Sequence, residues 1–258
     1  LLGDHPLARR IAAGEVLAPL VPGRGSLRLE GDRISGWADG VQFLDRARQI
    51  LLVSEGRAAL LEIESPLPAQ RERVRVKAAE AVEAELVPMQ SGVPQWRLTL
   101  ESSPAPEIIE LQPGRETQAL TRLRTSLAAW ATGAGAQAIE LAVAYAKERE
   151  QFGHPIGSYQ SVQNRLVDAA IQVEQGRMLV HRAAALIDTG SGEAEPMAVL
   201  ARHQARKAFV QATRAAMLTF GGYAFTVDFD IQLYFLRAKE AQLAFEPRSL
   251  WAAVPGFR

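Results

Sequence analysis

Two long runs of helical period meet at one corner, Arg149-Glu150-Gln151-Phe152-Gly153-His154-Pro155-Ile156. A run of mostly small and apolar residues, 120–146, leads into it, and a second run, 162–187, leads away. Phe152-Gly153 and Pro155 stop the first helix, because Gly leaves helical angles freely and Pro lacks the N–H that continues the ladder. Arg149 then stands at a helix C-terminus, where a cation suits the dipole. An Arg, a Gln and exposed backbone on a tight turn also form a set that can hold a phosphate diester. The plainer alternative is a capped helix corner with solvated side chains.

The rest of the C-terminal half follows the same period. Val162, Leu166, Ala169, Val173, Val180, Ala184 and Ile187 recur at steps of three and four or their sums, with Gly176 where a neighbour can approach closely. Thr189-Gly190-Ser191-Gly192 ends that helix. Glu195-Pro196 opens the next, with Pro in the tolerated first turn. Leu200, Ala201, Gln204, Ala205, Ala208, Phe209, Ala212 and Ala216 form its inward side, and Gly221-Gly222 stops it. A fourth helix is expected over 230–245, with Asp230 as its N-cap and Pro247 beyond its end. Helices joined by such short turns pack as an antiparallel four-helix bundle.

Upstream the period falls to two. Ser26-Leu27-Arg28-Leu29-Glu30 and Arg33-Ile34-Ser35-Gly36-Trp37 flank Gly31-Asp32, a hairpin signal. Ile50-Leu51-Leu52-Val53 reads as a buried strand, answered across Glu55-Gly56 by Ala59-Leu60-Leu61-Glu62-Ile63. Residues 73–77, 83–87 and 95–100 alternate, which predicts a small β-barrel or sandwich. The Pro-rich stretches 64–70 and 103–106 are expected as loops or edges, and 1–20 as a short helix.

Composition narrows the function classes. Twenty-nine Lys+Arg balance 29 Asp+Glu, so no basic excess argues for nucleic acid. There is no Cys, hence no disulfide frame and no thiolate nucleophile. His5, His154, His181 and His203 lack paired ligand spacing, and no metal is expected. No apolar run reaches the roughly 18 residues of a membrane span, and no signal peptide is expected in residues 1–6, whose apolar stretch is short. A cytoplasmic protein is expected. The chain begins without Met, so residues upstream are expected too.

Three stretches resemble the acyl-CoA dehydrogenase family. The most specific is Tyr145-Ala146-Lys147-Glu148-Arg149-Glu150-Gln151-Phe152-Gly153-His154-Pro155-Ile156, followed by Gln160. The second is Phe220-Gly221-Gly222-Tyr223-Ala224-Phe225-Thr226 with Asp230, Leu233, Tyr234 and Arg237-Ala238-Lys239. It looks most like the branch that works as heteromeric, two-gene enzymes on steroid or other bulky acyl-CoA thioesters. Arg10-Ile11-Ala12-Ala13-Gly14-Glu15 resembles the end of the family's N-terminal helical domain.

The resemblance implies an α+β fold: a remnant of the N-terminal helical domain in 1–22, a middle β-domain in 23–114 and a C-terminal four-helix bundle in 115–258. It implies a flavoenzyme that desaturates an acyl-CoA between its α and β carbons, with a carboxylate taking the α proton and FAD the β hydride. Carried over residue by residue, it assigns Arg149 to the pyrophosphate of FAD. Gln151 and Phe152 fall on its adenosine side, and Gln160, Gly221 and Gly222 join the cofactor site. Arg124 falls near the acyl-CoA, and no residue is assigned to a metal.

Departures shape what is expected. Leu218 stands where the family has a Gln on FAD. Leu123 and Phe245 stand at the two places where it keeps its catalytic Glu. Glu246 is one residue on, and one helical step turns a side chain by roughly 100°. The family's flavin-touching segments of the β-domain are absent, with Val21-Pro22-Gly23 and Val41-Gln42-Phe43 in their neighbourhood. The leading reading is a partner subunit that shares an FAD site with a second acyl-CoA dehydrogenase-like chain and leaves the base to it. The alternatives are a homomeric dehydrogenase using Glu246 and a scaffold subunit that binds no flavin.

Overall fold

The computed structural model describes residues 6–13, 20–22, 27–42, 44, 46–47, 49–54, 56–62, 72–73, 82–87, 94–105 and 107–243. The chain divides into two compact units, Leu1–Gln118 and Ala119–Arg258.

The first unit opens with α1 (Pro6–Ala12), then β1 (Leu20–Pro22), β2 (Arg28–Glu30), β3 (Arg33–Gln42), β4 (Gln49–Ser54) and β5 (Arg57–Glu62). It continues with β6 (Glu72–Arg73), β7 (Val82–Val87), β8 (Gln95–Pro104) and β9 (Glu107–Glu110). Two sheets form: one in the order β1-β4-β5-β9, the other in the order β2-β3-β8-β7-β6. All pairs are antiparallel except β1 with β4. The alternating residues Ile34, Ala38, Leu98 and Leu100 of one sheet share a core with Ile50, Leu52, Ala59 and Leu61 of the other. Trp96 is 1% exposed within that core, whereas Trp37 lies on the sheet surface. The odd face of β4 is also buried: Leu51 and Val53 cluster with Ala58 and Leu60, backed by Ile109 and Leu111. Burial on both faces explains why β4 reads as a continuous apolar run.

The expectation for the N-terminal stretch is corrected. The helix expected over 1–20 is α1 alone among the described residues, and Leu20–Pro22 is a strand paired with Leu51, Leu52 and Val53. Pro22 occupies the end of an edge strand, where its missing N–H costs little. In the stretch 103–106, expected as a loop or an edge, Ser103 and Pro104 are strand: β8 runs on to Pro104, which pairs with Arg33 of β3, while among the described residues β7 pairs with β8 no further than Leu100. The Arg33 guanidinium donates to the Ser102 carbonyl at 2.6 Å, which secures that extension. β9, with burial along its Glu-Ile-Ile-Glu segment that does not alternate, carries no period-two signal, yet it completes the first sheet beside β5. The strand expected over 73–77 is described only as Glu72–Arg73, and the remainder lies outside the described residues.

The bundle comprises α2 (Arg115–Glu148), the two-residue strands β10 (Glu150–Gln151) and β11 (His154–Pro155), α3 (Gln160–Asp188), α4 (Ala194–Phe220) and α5 (Ile231–Leu243). The seam is made of small side chains. Ala138, Ala142, Ala169, Ala208, Ala212 and Ala216 are all buried, which lets the helices approach closely. Gly176 marks the tightest crossing: a Cβ there would lie 2.8 Å from Thr132 Cγ2 on α2 and 3.4 Å from the Ala205 Cα on α4. Phe209 is fully buried in the bundle and meets the partly exposed Trp130 ring edge-on at 5.5 Å.

The helix ends have identifiable stops. At the end of α3 the Gly190 N–H donates to the Ile187 carbonyl and the Ser191 N–H to the Leu186 carbonyl. With Gly190 at φ 66°, that is a Schellman ending. α4 ends on Gly221, as expected. α5 begins at Ile231, one residue after Asp230, whose carbonyl accepts from the Leu233 N–H. Its last turn is capped from α4: Arg202 Nη2 donates to the Ala241 carbonyl at 3.4 Å and Arg206 Nη1 to the Gln242 carbonyl at 2.9 Å. Two cations thus meet the negative end of the helix dipole.

The glycines of the bundle divide by packing. Gly176→Ala is expected to lower stability by about 1–3 kcal/mol, because the neighbours at its crossing have to move. Gly133, in α2 with nothing within 4 Å of an added Cβ, is expected to give the opposite sign, a gain of about 0.5–1 kcal/mol on substitution by Ala. Urea unfolding midpoints for the two variants check both signs.

Candidate functional site

Residues 149–159 form a compact corner between α2 and α3. Arg149 follows the last residue of α2, and its N–H still donates to the Tyr145 carbonyl at 2.9 Å. β10 and β11 then pair as a minimal hairpin, Glu150 with Pro155 and Gln151 with His154. The two tip residues, Phe152 at φ 58° and Gly153 at φ 81°, are both left-handed. A two-residue hairpin turn of this hand requires that, and Asn-Gly is its usual occupant. A Phe there is strained and therefore worth explaining. It is also 93% exposed, so no packing within the described chain compensates.

The hairpin is held from its base. The Ile156 N–H donates to the Arg149 carbonyl at 2.7 Å, and the Tyr159 hydroxyl donates to the Gln151 carbonyl at 3.0 Å. Gln163 Nε2 donates to the Gly157 carbonyl at 2.8 Å. Gly157 lies so close to the end of α2 that a Cβ would stand 2.9 Å from the Ala146 carbonyl oxygen. No sequence signal beyond the glycine itself marks that approach.

A second turn lies beside this corner. Gly221–Phe225 is a 3₁₀ segment after α4, with Gly221 at φ 62°. Cβ atoms built on Gly221 or Gly222 meet nothing within 4 Å, so the backbone there faces open space. The Arg149 guanidinium carbon sits 5.2 Å from the centre of the Tyr223 ring. Among the described residues Arg149 has no carboxylate within ion-pair reach, so that ring is its neighbour of note.

The remaining sequence-predicted residues are placed as follows. Gln151 is exposed, and its Nε2 donates to the Glu150 carbonyl at 2.6 Å. Gln160 is the first residue of α3, exposed, with Tyr159 as the N-cap. Arg124 is not part of the corner: it lies 25 residues earlier, about 37 Å back along α2 at the usual helical rise. It pairs there with Glu195 of α4 at 3.3 Å. Leu123 is half-buried on α2 and Leu218 is exposed on α4. Phe245 and Glu246 lie outside the described residues. Of the predicted set, the structure therefore gathers Arg149, Gln151, Phe152, Gln160, Gly221 and Gly222 at one end of the bundle. The Tyr223 ring and the Tyr159 hydroxyl belong to that end as well. The sequence reading gave Tyr223 no role, although it lies inside the second motif.

Among the described residues no cluster of His, Cys, Asp or Glu is arranged to hold a metal, and no helix is long and apolar enough to cross a membrane.

The fold and this corner define a class. The sequence pattern of the acyl-CoA dehydrogenase C-terminal domain matches residues 115–244, and the chain belongs to the acyl-CoA dehydrogenase family. It is similar to the acyl-CoA dehydrogenase IpdE2 of Mycolicibacterium smegmatis, 42% identical over 123 residues, which are 47% of this chain and 38% of that protein. The matched stretch thus spans well under half of that relative. Among solved structures, the chain is similar to the Tcur3481-Tcur3483 steroid ACAD, G363A variant, with TM-score 0.69 and 26% identity. That match covers 88% of this chain and 58% of the other. It is also similar in fold to a chain of the ChsE4-ChsE5 complex from Mycobacterium tuberculosis, with TM-score 0.75 and 21% identity over 93% of this chain and 65% of that one.

The hairpin tip yields a stability test. Phe152→Asn is expected to raise stability by up to about 1 kcal/mol, since Asn adopts left-handed angles at lower cost than Phe. A thermal melt that moves downward would instead mean that the Phe152 side chain supports the free fold.

Proposed function

We propose that this chain is one subunit of a heteromeric FAD-dependent acyl-CoA dehydrogenase acting on a bulky, steroid-type acyl-CoA in the cytoplasm. It contributes to an FAD site at the subunit interface, and a second acyl-CoA dehydrogenase-like subunit supplies the base. The observation that carries the reading is the corner itself. A strained, exposed phenyl and an Arg that has no carboxylate partner among the described residues share one end of the bundle with open glycine backbone.

Those features fit a dinucleotide with a charged middle and a flat end. Arg149 offers in-plane N–H donors to a pyrophosphate oxygen, the kind of charge-assisted contact that is strong. Phe152 offers a ring face to the adenosine side, with Gln151 and Gln160 as its polar neighbours. The open backbone at Gly221 and Gly222 lets a ligand come close without meeting a side chain. Bound FAD would supply the hydride acceptor for α,β-desaturation. Leu123 accepts no proton, which is why the base is assigned to the partner. Arg124 is assigned to the acyl-CoA side. The second reading, a homomeric enzyme, rests on Glu246 as the base. The third is a scaffold that binds no flavin.

The heteromeric reading draws on the second motif and on the two-part name of the steroid ACAD to which the chain is similar. Co-purification with the dehydrogenase-like product of a neighbouring gene tests it. The complex is expected to carry flavin absorbance and to desaturate its acyl-CoA, and the isolated chain to do neither. Arg149→Ala in the complex is expected to weaken FAD binding roughly ten- to a hundredfold, the worth of a hydrogen bond to a charged group. Full dehydrogenation by the isolated chain, abolished by Glu246→Gln, would establish the homomeric alternative instead. A colourless complex releasing no FAD on denaturation would leave the scaffold.

A further inference from the structure

Arg149 is held by a ring, and that ring is the outermost of four. Tyr145, near the end of α2, stacks on Phe220, the last residue of α4, at 4.3 Å with planes 19° apart. Phe229, just before α5, meets Tyr145 edge-on at 5.8 Å and Phe220 at 5.1 Å. Tyr223 joins through Phe229 at 6.2 Å and 80°. The cluster therefore links the segment after α2 to the turn after α4 through side chains alone. Arg149 stands four residues after Tyr145 and reaches back over Tyr223.

We propose that Tyr223 is a positioning residue for Arg149. Its ring keeps the guanidinium in place before any ligand arrives, and the cluster behind it keeps the two turns in a fixed relation. The choice of an aromatic partner has a chemical consequence. A carboxylate would occupy the guanidinium's in-plane N–H donors, whereas a ring face leaves them free for an anion. An unrestrained Arg loses rotamer freedom whenever it captures an anion, so a side chain already held loses less. The Tyr hydroxyl plays no part in this role; the π face does. Tyr223 is half-exposed, so the arrangement sits at the surface where a ligand can reach it.

This inference rests on the reading of Arg149 as a phosphate ligand, but its first test needs no cofactor. In the ligand-free chain, selectively labelled with arginine, the Arg149 side-chain resonance (identified by its loss in Arg149→Ala) is expected to be shifted upfield by the ring. The shift should persist in Tyr223→Phe and vanish in Tyr223→Leu. An Arg149 resonance at the same position in Tyr223→Leu overturns the proposal. The second test is flavin affinity in the two-subunit complex, by fluorescence titration with FAD. Tyr223→Leu is expected to weaken binding roughly two- to fivefold, the worth of an exposed cation–π contact, and Tyr223→Phe to leave it unchanged. In the Arg149→Ala background the Tyr223→Leu effect is expected to disappear, because the ring then has nothing to hold. An equal loss in both backgrounds, or a loss in Tyr223→Phe, overturns positioning in favour of a direct Tyr223 contact. An unchanged affinity in Arg149→Ala alone strikes the phosphate-ligand reading, whereas the resonance shift in the ligand-free chain judges the ring contact separately.

Discussion

The close approach of helix backbones around Gly176 sets the rest of the bundle. Gly176 faces Thr132 on α2 and Ala205 on α4, and buried alanines continue the seam in both directions. Each small side chain buries little area, so cohesion comes from many atoms at contact distance rather than from a few large groups. Such a seam fixes register, because sliding one helix would drive a side chain into the opposing backbone. Larger rings join the small residues at two places: Phe209, buried, in the middle, and Tyr145, Phe220 and Phe229 together at one end.

Register has a direct consequence for the surface. α2 and α4 run in the same direction, so α2 ends at Glu148 and α4 at Phe220 on the same side of the bundle. The turns that follow them are therefore neighbours, although about 70 residues separate them in the chain. One turn carries strain, at Phe152, and the other carries freedom, at Gly221. A rigid platform behind both turns allows a strained, exposed aromatic to persist. The rings that link the turns also give Arg149 a neighbour that leaves its donors available.

The bundle was legible because its signals are local. Period-3.6 spacing, Pro196 in the first turn of α4, Gly190 past the end of α3 and Gly221 at the end of α4 each act within a few residues. Their effect does not depend on what packs nearby. The Gly31-Asp32 hairpin followed from alternation in the same way. The illegible parts are those decided at a distance. β1 is a strand because β4 offers it an edge, β8 continues through Ser103-Pro104 because β3 continues beside it, and β9 pairs with β5 without an alternating pattern of its own.

The same division holds at the candidate site. The sequence by itself determined the family, the tight turn at the corner and its residue types, since Arg149, Gln151, Phe152 and Gly153 lie within five residues and their backbone demands are local. Only the tertiary structure decided that Arg149 lies over Tyr223 and that Arg124 is turned to Glu195 at the other end of α2. It alone decided, too, that Gly157 has to be a glycine against the Ala146 carbonyl. The reason is that a side chain's neighbour across a bundle depends on the register of two helices. That register is set by close packing summed over the whole seam, which no single stretch of sequence encodes.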